Sequence, residues 1–288
     1  MLDASLVRAV QQYADLTQGV ADADLDLEWA WGAYDEEGVR FAFFRTYEEL
    51  RALAIELAVE RRALGPAMTT AQHILAQYHA AYRDLQAALL GVGAEETDRP
   101  PAEGEWPLHK VVAHIVGAEL GFFGVTKYAL DRHRSGDGRP AAIPDEAWDA
   151  IIGQDEASLV AMLDGPWEGI RSYYGTFHER VLLELADIRD EELEAPSMYW
   201  EGYALSLRFR LGRFDSHLRQ HTVQVDKTLV AIGRAPNEAR RLLRLIYAAL
   251  AEAEGATIGA WDVGVERRRQ TAEMVAARTE EIAGILGR

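Results

Sequence analysis

The 288-residue chain contains no cysteine. Disulfides, cysteine-ligated zinc fingers, iron–sulfur clusters and internal thiol nucleophiles are therefore excluded. Any sulfur chemistry has to arrive with a substrate. Positive charge is also in short supply, with 30 Lys+Arg against 47 Asp+Glu and a formal net charge of −17. Such a chain repels a nucleic-acid backbone unless a basic patch is set into it. The runs Glu60-Arg61-Arg62, Arg240-Arg241 and Arg267-Arg268-Arg269 are short and flanked by acids, and they read as solvated helix faces. No nucleic-acid partner is expected. No 18 consecutive apolar residues occur, so no membrane-spanning helix is expected. The N-terminal MLDASLVRAVQQYADLTQ lacks the basic start and apolar core of a secretion signal, and a cytoplasmic location is the simplest expectation.

Several catalytic signatures are missing as well. There is no Glu-x-x-His of a di-iron carboxylate bundle, no His-Glu-x-x-His, no Gly-x-Ser-x-Gly and no phosphate-binding loop. What is present is 49% hydrophobic residues in a dominantly helical rhythm, enough for one large domain or two modest ones. Leu6, Val7, Val10, Tyr13 and Ala14 mark a first amphipathic helix. Trp29, Trp31 and Tyr34, then Val39, Phe41 and Phe43, alternate around Asp35-Glu36-Glu37-Gly38. That pattern suggests a short β-hairpin near residues 29–44, the alternative being a loop pinned by aromatics. Thr46 with Glu49 fits a capping box for a helix running to Leu64, and Gly65-Pro66 marks a boundary.

Beyond that boundary, long helices are expected over about 69–90, 107–134, 155–186 and 205–232, with Pro107 in the first turn of the second. A short helix after Pro144, and two more from Pro236 to Glu254 and over 262–286, complete the set. The fold class is all-α. Residues 67–235 form a four-helix bundle with uneven connections. Residues 1–66 are an N-terminal helical extension and 236–288 a C-terminal two-helix extension, both packing on the bundle or on each other. A symmetric homodimer is the default expectation for assembly.

His217 and His221, in Ser-His-Leu-Arg-Gln-His-Thr-Val-Gln, are the one histidine pair four residues apart. On a helix they share a face and can share a metal ion, or they are satisfied core residues at the edge of an apolar stripe. A metal site needs at least three protein donors. His114 lies in the apolar run Val111-Val112-Ala113-His114-Ile115-Val116-Gly117-Ala118-Glu119, on a helix that must be largely buried.

The segment Trp106-Pro-Leu-His-Lys-Val-Val-Ala-His114, followed about a hundred residues later by Ser-His217-Leu-Arg-Gln-His221-Thr-Val-Gln224, resembles the DinB-like four-helix bundle metalloproteins. The family pattern is a tryptophan at the start of the second helix, a histidine further along it, and His-x-x-x-His on the fourth. Pro107 stands where Ser or Thr is common, and the flanking extensions lie outside the minimal domain. The resemblance implies one divalent ion, zinc or nickel, held by His114, His217 and His221. It also implies relatives that use a low-molecular-weight thiol in transfer or isomerisation. Such a site would act on an electrophilic small-molecule substrate. Gln224 would orient a ligand or water, Glu119 would act as general base or outer support, and Tyr199, Trp200 and Tyr203 would rim the pocket. The alternative is a metal- or ligand-binding stress-response protein, or a dimeric interaction module, without chemistry.

Overall fold

The computed structural model describes residues 4–34, 37–65 and 67–288. Its helices, in chain order, are α1 Ala4–Thr17, α2 Gly38–Leu64, α3 Thr70–Ala88, α4 Ala94–Thr97, α5 Leu108–Arg134, α6 Asp145–Ile152, α7 Glu156–Leu163, α8 Trp167–Leu185, α9 Leu207–Ala231, α10 Glu238–Gly255 and α11 Val265–Leu286. Strands β1 Pro196–Met198 and β2 Ala204–Ser206 pair antiparallel, with Ser197 opposite Leu205. The chain divides into two compact units.

The first unit comprises Met1–Ala67, His79–Val92 and Gly233–Arg288. In it α10 packs on α2 and α11 on α1. Apolar residues at helical spacing supply the core: Leu6, Val10 and Tyr13 of α1, Phe43, Leu50 and Leu57 of α2, Leu243, Ile246 and Leu250 of α10, and Val275 and Ile282 of α11. Tyr13 meets Phe43 edge-on with ring centroids 5.3 Å apart. A charged cluster is buried with them. Arg83 of α3 donates to Glu254 of α10 through Nε at 2.7 Å and Nη2 at 2.5 Å, and His79 Nε2 lies 2.9 Å from the same carboxylate.

The expected hairpin near 29–44 is not formed. Residues 35 and 36, half of its proposed turn Asp35-Glu36-Glu37-Gly38, lie outside the described residues, and α2 begins at Gly38. The buried positions 39, 43, 46, 50, 53 and 57, all apolar but Thr46, continue through the segment at a helical period, and that longer pattern wins over a five-residue alternation. Strand-like pairing survives only as one bridge, Trp31 with Tyr34, whose rings stack at 5.8 Å while Phe41 closes on both. Gly38 has φ of +68°, and a Cβ there would come within 2.9 Å of the Leu25 carbonyl oxygen, so the entry to α2 requires glycine. Thr46 is consequently not a cap but a buried mid-helix residue, bonded to the Ala42 carbonyl and to Arg278. Pro66, half of the expected boundary, also lies outside the described residues.

The second unit comprises Met68–Tyr78 and Gly93–Ile232. Its core is α5, packed on α8 and α9, and α3 as far as Tyr78 belongs to the same unit. Tyr78 of α3 shows the four helices meeting. Its hydroxyl donates to Glu119 of α5, and its ring lies 4.6 Å from His178 of α8 and 5.0 Å from Phe214 of α9. Helix α5 is long and apolar enough to span a membrane by composition, yet 67% of that window is buried within the protein. The helix expected over 155–186 is broken, because Gly165-Pro166 ends α7 and Pro166 becomes the N-cap of α8. Pro107 likewise stands at the N-cap of α5 rather than inside its first turn.

Candidate metal centre

Helix α9 starts at Ser206, whose hydroxyl accepts from Phe209 N, and runs unbroken through His217 and His221. The four-residue spacing sets both imidazoles on one face, with ring centroids 4.4 Å apart. Helix α5, packed against α9, brings His114 to the same point, 5.1 Å from the His217 ring and 4.7 Å from that of His221. One ligand nitrogen from each histidine lies within 4.8 Å of the other two. His217 and His221 are buried, and His114 is half-buried.

The donor set fits a divalent cation. The Nε2 atoms of His114 and His217 are 3.2 Å apart. Two nitrogens held at ~2.0–2.1 Å on one tetrahedral ion sit roughly 3.3 Å from each other. Burial, followed by the mutual proximity of the rings, lowers the pKa of His114, and it lowers that of His217 to about 3. Their lone pairs are thus free of protons at neutral pH. Gln224 Oε1 lies 2.8 Å from His221 Nδ1, which fixes the tautomer that leaves Nε2 toward the cluster. Nδ1 of His217 is buried with no hydrogen-bond partner among the described residues. Trp106 stands edge-on to His114 at 5.3 Å and closes one side.

Two separate cavities reach the cluster. The first, about 510 Å³, exposes His114 and His217 and is walled by Phe122, Tyr199, Trp200, Glu201, Tyr203, Phe209 and Arg213. The second, about 620 Å³, exposes His221 beside Trp106, Gln224, Lys227 and Thr228. The β1–β2 turn carries the aromatic rim of the first. Trp200 is 79% and Tyr203 59% exposed, so both overhang it rather than fill the core. Arg210, fully buried, fixes that turn by donating to Ser197 Oγ at 2.9 Å and to both Glu201 oxygens at 2.7 and 2.9 Å. Tyr199 lies against Gly121 of α5, where a Cβ would approach the ring carbon bearing the hydroxyl to 3.0 Å.

The structure gathers His114, His217, His221, Gln224, Tyr199, Trp200 and Tyr203 around the site. Glu119 is elsewhere, and this corrects its assignment as a base. It lies five residues beyond His114, fully enclosed, and lines neither cavity. Its carboxyl is engaged by the Tyr78 hydroxyl at 2.5 Å and the Tyr174 hydroxyl at 2.9 Å. Burial, partly offset by those two bonds, raises its pKa to about 8. Arg213 and Phe122 were not singled out from the sequence. Arg213 precedes His217 by the same four residues that separate His217 from His221, a signal that was available.

A sequence model of the DinB superfamily matches residues 77–225 of the chain. Comparison with curated proteins and with solved structures returned no match. The matched segment includes all of α5 and α9 as far as Val225, hence His114, His217 and His221, and covers more than half of the chain, which therefore belongs to the DinB superfamily.

Proposed function

We propose that the chain binds one divalent ion, zinc or nickel, through His114, His217 and His221, and transfers a low-molecular-weight thiol to an electrophilic small molecule. The convergence of three imidazoles from two helices carries this reading. When bound by His114, His217 and His221, such an ion would supply the positive charge that lets a thiol lose its proton near neutral pH. The sulfur then forms a bond to an electrophilic carbon. The displaced group leaves with the bonding electron pair, or, in a conjugate addition, the adjacent carbon takes a proton.

The chain's own residues do the rest. Gln224 holds the His221 ring. Trp106 and Phe122 pack edge-on against the His114 and His217 imidazoles and hold their orientation. The aromatic turn held by Arg210 supplies a wall for an apolar substrate body. No internal thiol competes for the ion.

Metal content of protein purified without chelator is the first test. About one equivalent is expected in the wild type and little in His114→Ala, His217→Ala or His221→Ala. Absence of metal even after zinc or nickel is added overturns the reading. Thiol consumption with a panel of electrophiles, abolished by chelation, is the second.

A non-catalytic binding protein is favoured by one observation. Among the described residues, the one acid walling the His114–His217 cavity, Glu201, is occupied by Arg210, and Glu119 is enclosed. A fully loaded protein with no turnover across thiols and electrophiles selects that reading.

A further inference from the structure

We propose that the cavity exposing His114 and His217 takes small organic acids, with Arg213 binding the carboxylate and the surrounding rings packing on a flat apolar body. This deepens the metal-site reading by naming the substrate class.

Helix α9 presents Arg213, His217 and His221 at successive four-residue steps, so all three lie on one face. One such step is ~6 Å along the axis. A ligand whose reacting end meets the histidine cluster therefore has its carboxylate within reach of Arg213 when the two ends are separated by a short spacer of that length.

The charges in the wall make Arg213 available. Glu201, the acid beside it, is held by both terminal nitrogens of buried Arg210 and is neutralised there. Among the described residues, the one hydrogen bond of the Arg213 guanidinium runs to Ser216 Oγ at 3.2 Å. Arg210 and Arg213 both hold the Glu201 carboxyl below its ordinary range, so two guanidiniums face one carboxylate and the group keeps one surplus positive charge at the cavity, in a chain carrying −17 overall. A half-buried guanidinium presents a planar fork that matches a carboxylate with two parallel hydrogen bonds. Arg213 lies over the Phe122 ring at 5.7 Å, and Phe122 in turn lies edge-on to His217 at 5.5 Å, so cation, ring and imidazole form a continuous wall. Tyr199, Trp200, Tyr203 and Phe209 supply the other flat surfaces.

The second cavity has a different character. Its cation, Lys227, is exposed and faces a cavity that also contains exposed Glu105, so its walls are balanced in charge.

Calorimetry with 3-phenylpropanoate and its uncharged amide tests the assignment, on metal-loaded and chelator-treated protein. The acid should bind at least tenfold more tightly than the amide in both forms. Arg213→Gln should bring the acid down to the amide's affinity, while Arg219→Gln, on an exposed arginine paired with Asp215, should preserve the preference. Equal binding of acid and amide, no binding of the acid, or a preference that survives Arg213→Gln overturns the proposal. A preference lost on chelation with Arg213 intact also overturns it, because the carboxylate then goes to the ion. Failure of the metal reading is separately visible as absent metal alongside a retained acid preference in the metal-free form.

Discussion

Gln224 Oε1 and His221 Nδ1 are 2.8 Å apart, three residues along the same helix, so α9 supplies both a ligand and the group that holds it. Partners of this kind fix ring orientation and are worth about 10–100-fold in metal affinity. Gln224→Leu is therefore expected to weaken the ion by about that factor without unfolding the protein. Competition against a chromogenic chelator reads the constant, and unchanged affinity removes Gln224 from the site.

Glu119 makes stability depend on pH. Its folded pKa is raised by burial to about 8 from an ordinary 4.5. The unfolded chain therefore binds fewer protons than the native one between these values, and stability falls as pH rises from about 4.5 through about 8. Glu119→Gln keeps the shape but not the titration. The wild type should lose on the order of 4 kcal/mol relative to this variant between pH 5 and pH 9, about 1.4 kcal/mol for each of the roughly three pH units up to its folded pKa. Urea denaturation of both proteins at three pH values measures it, and parallel curves contradict it.

Arg83 and Glu254 are an ion pair with both side chains buried. Glu254→Leu leaves a buried guanidinium without a counter-charge and should cost roughly 3–5 kcal/mol. Arg83→Met combined with Glu254→Leu should cost less than the single change, since no lone charge remains. Chemical denaturation of both singles and the double gives the coupling directly.

The turn above the cavity depends on Arg210. Arg210→Met removes its bonds to Ser197 and Glu201 and leaves Glu201 without its partner. Faster proteolytic cleavage within residues 199–203 is expected, at unchanged metal content. Equal cleavage rates in variant and wild type argue against the anchor.

The histidine cluster was legible because its information is local. His217 and His221 share one helix face by spacing alone, and the Trp106–His114 segment carries the family pattern. The helices of the bundle were legible from long apolar periods. What escaped has identifiable causes. Positions 39 and 43 satisfy a strand period and a helix period at once, and only the continuation to Leu57 decides between them. Glu119 shares a helix with His114 but points five residues onward, into a ring of tyrosines contributed by α3 and α8. No single-sequence pattern connects those three residues. The strand pair at 196–206 is too short for any period to register.

Gly121 gives the site an adjustable dimension. The missing side chain there is the space into which Tyr199 settles. A methyl group at that position presses the phenol toward the open side, and larger groups press it further. The room offered to a bound molecule is then set from behind the wall, by a residue that no bound molecule touches. Related chains can diverge in what they accept while keeping every contact residue unchanged, and a directed library at position 121 alone can reshape selectivity.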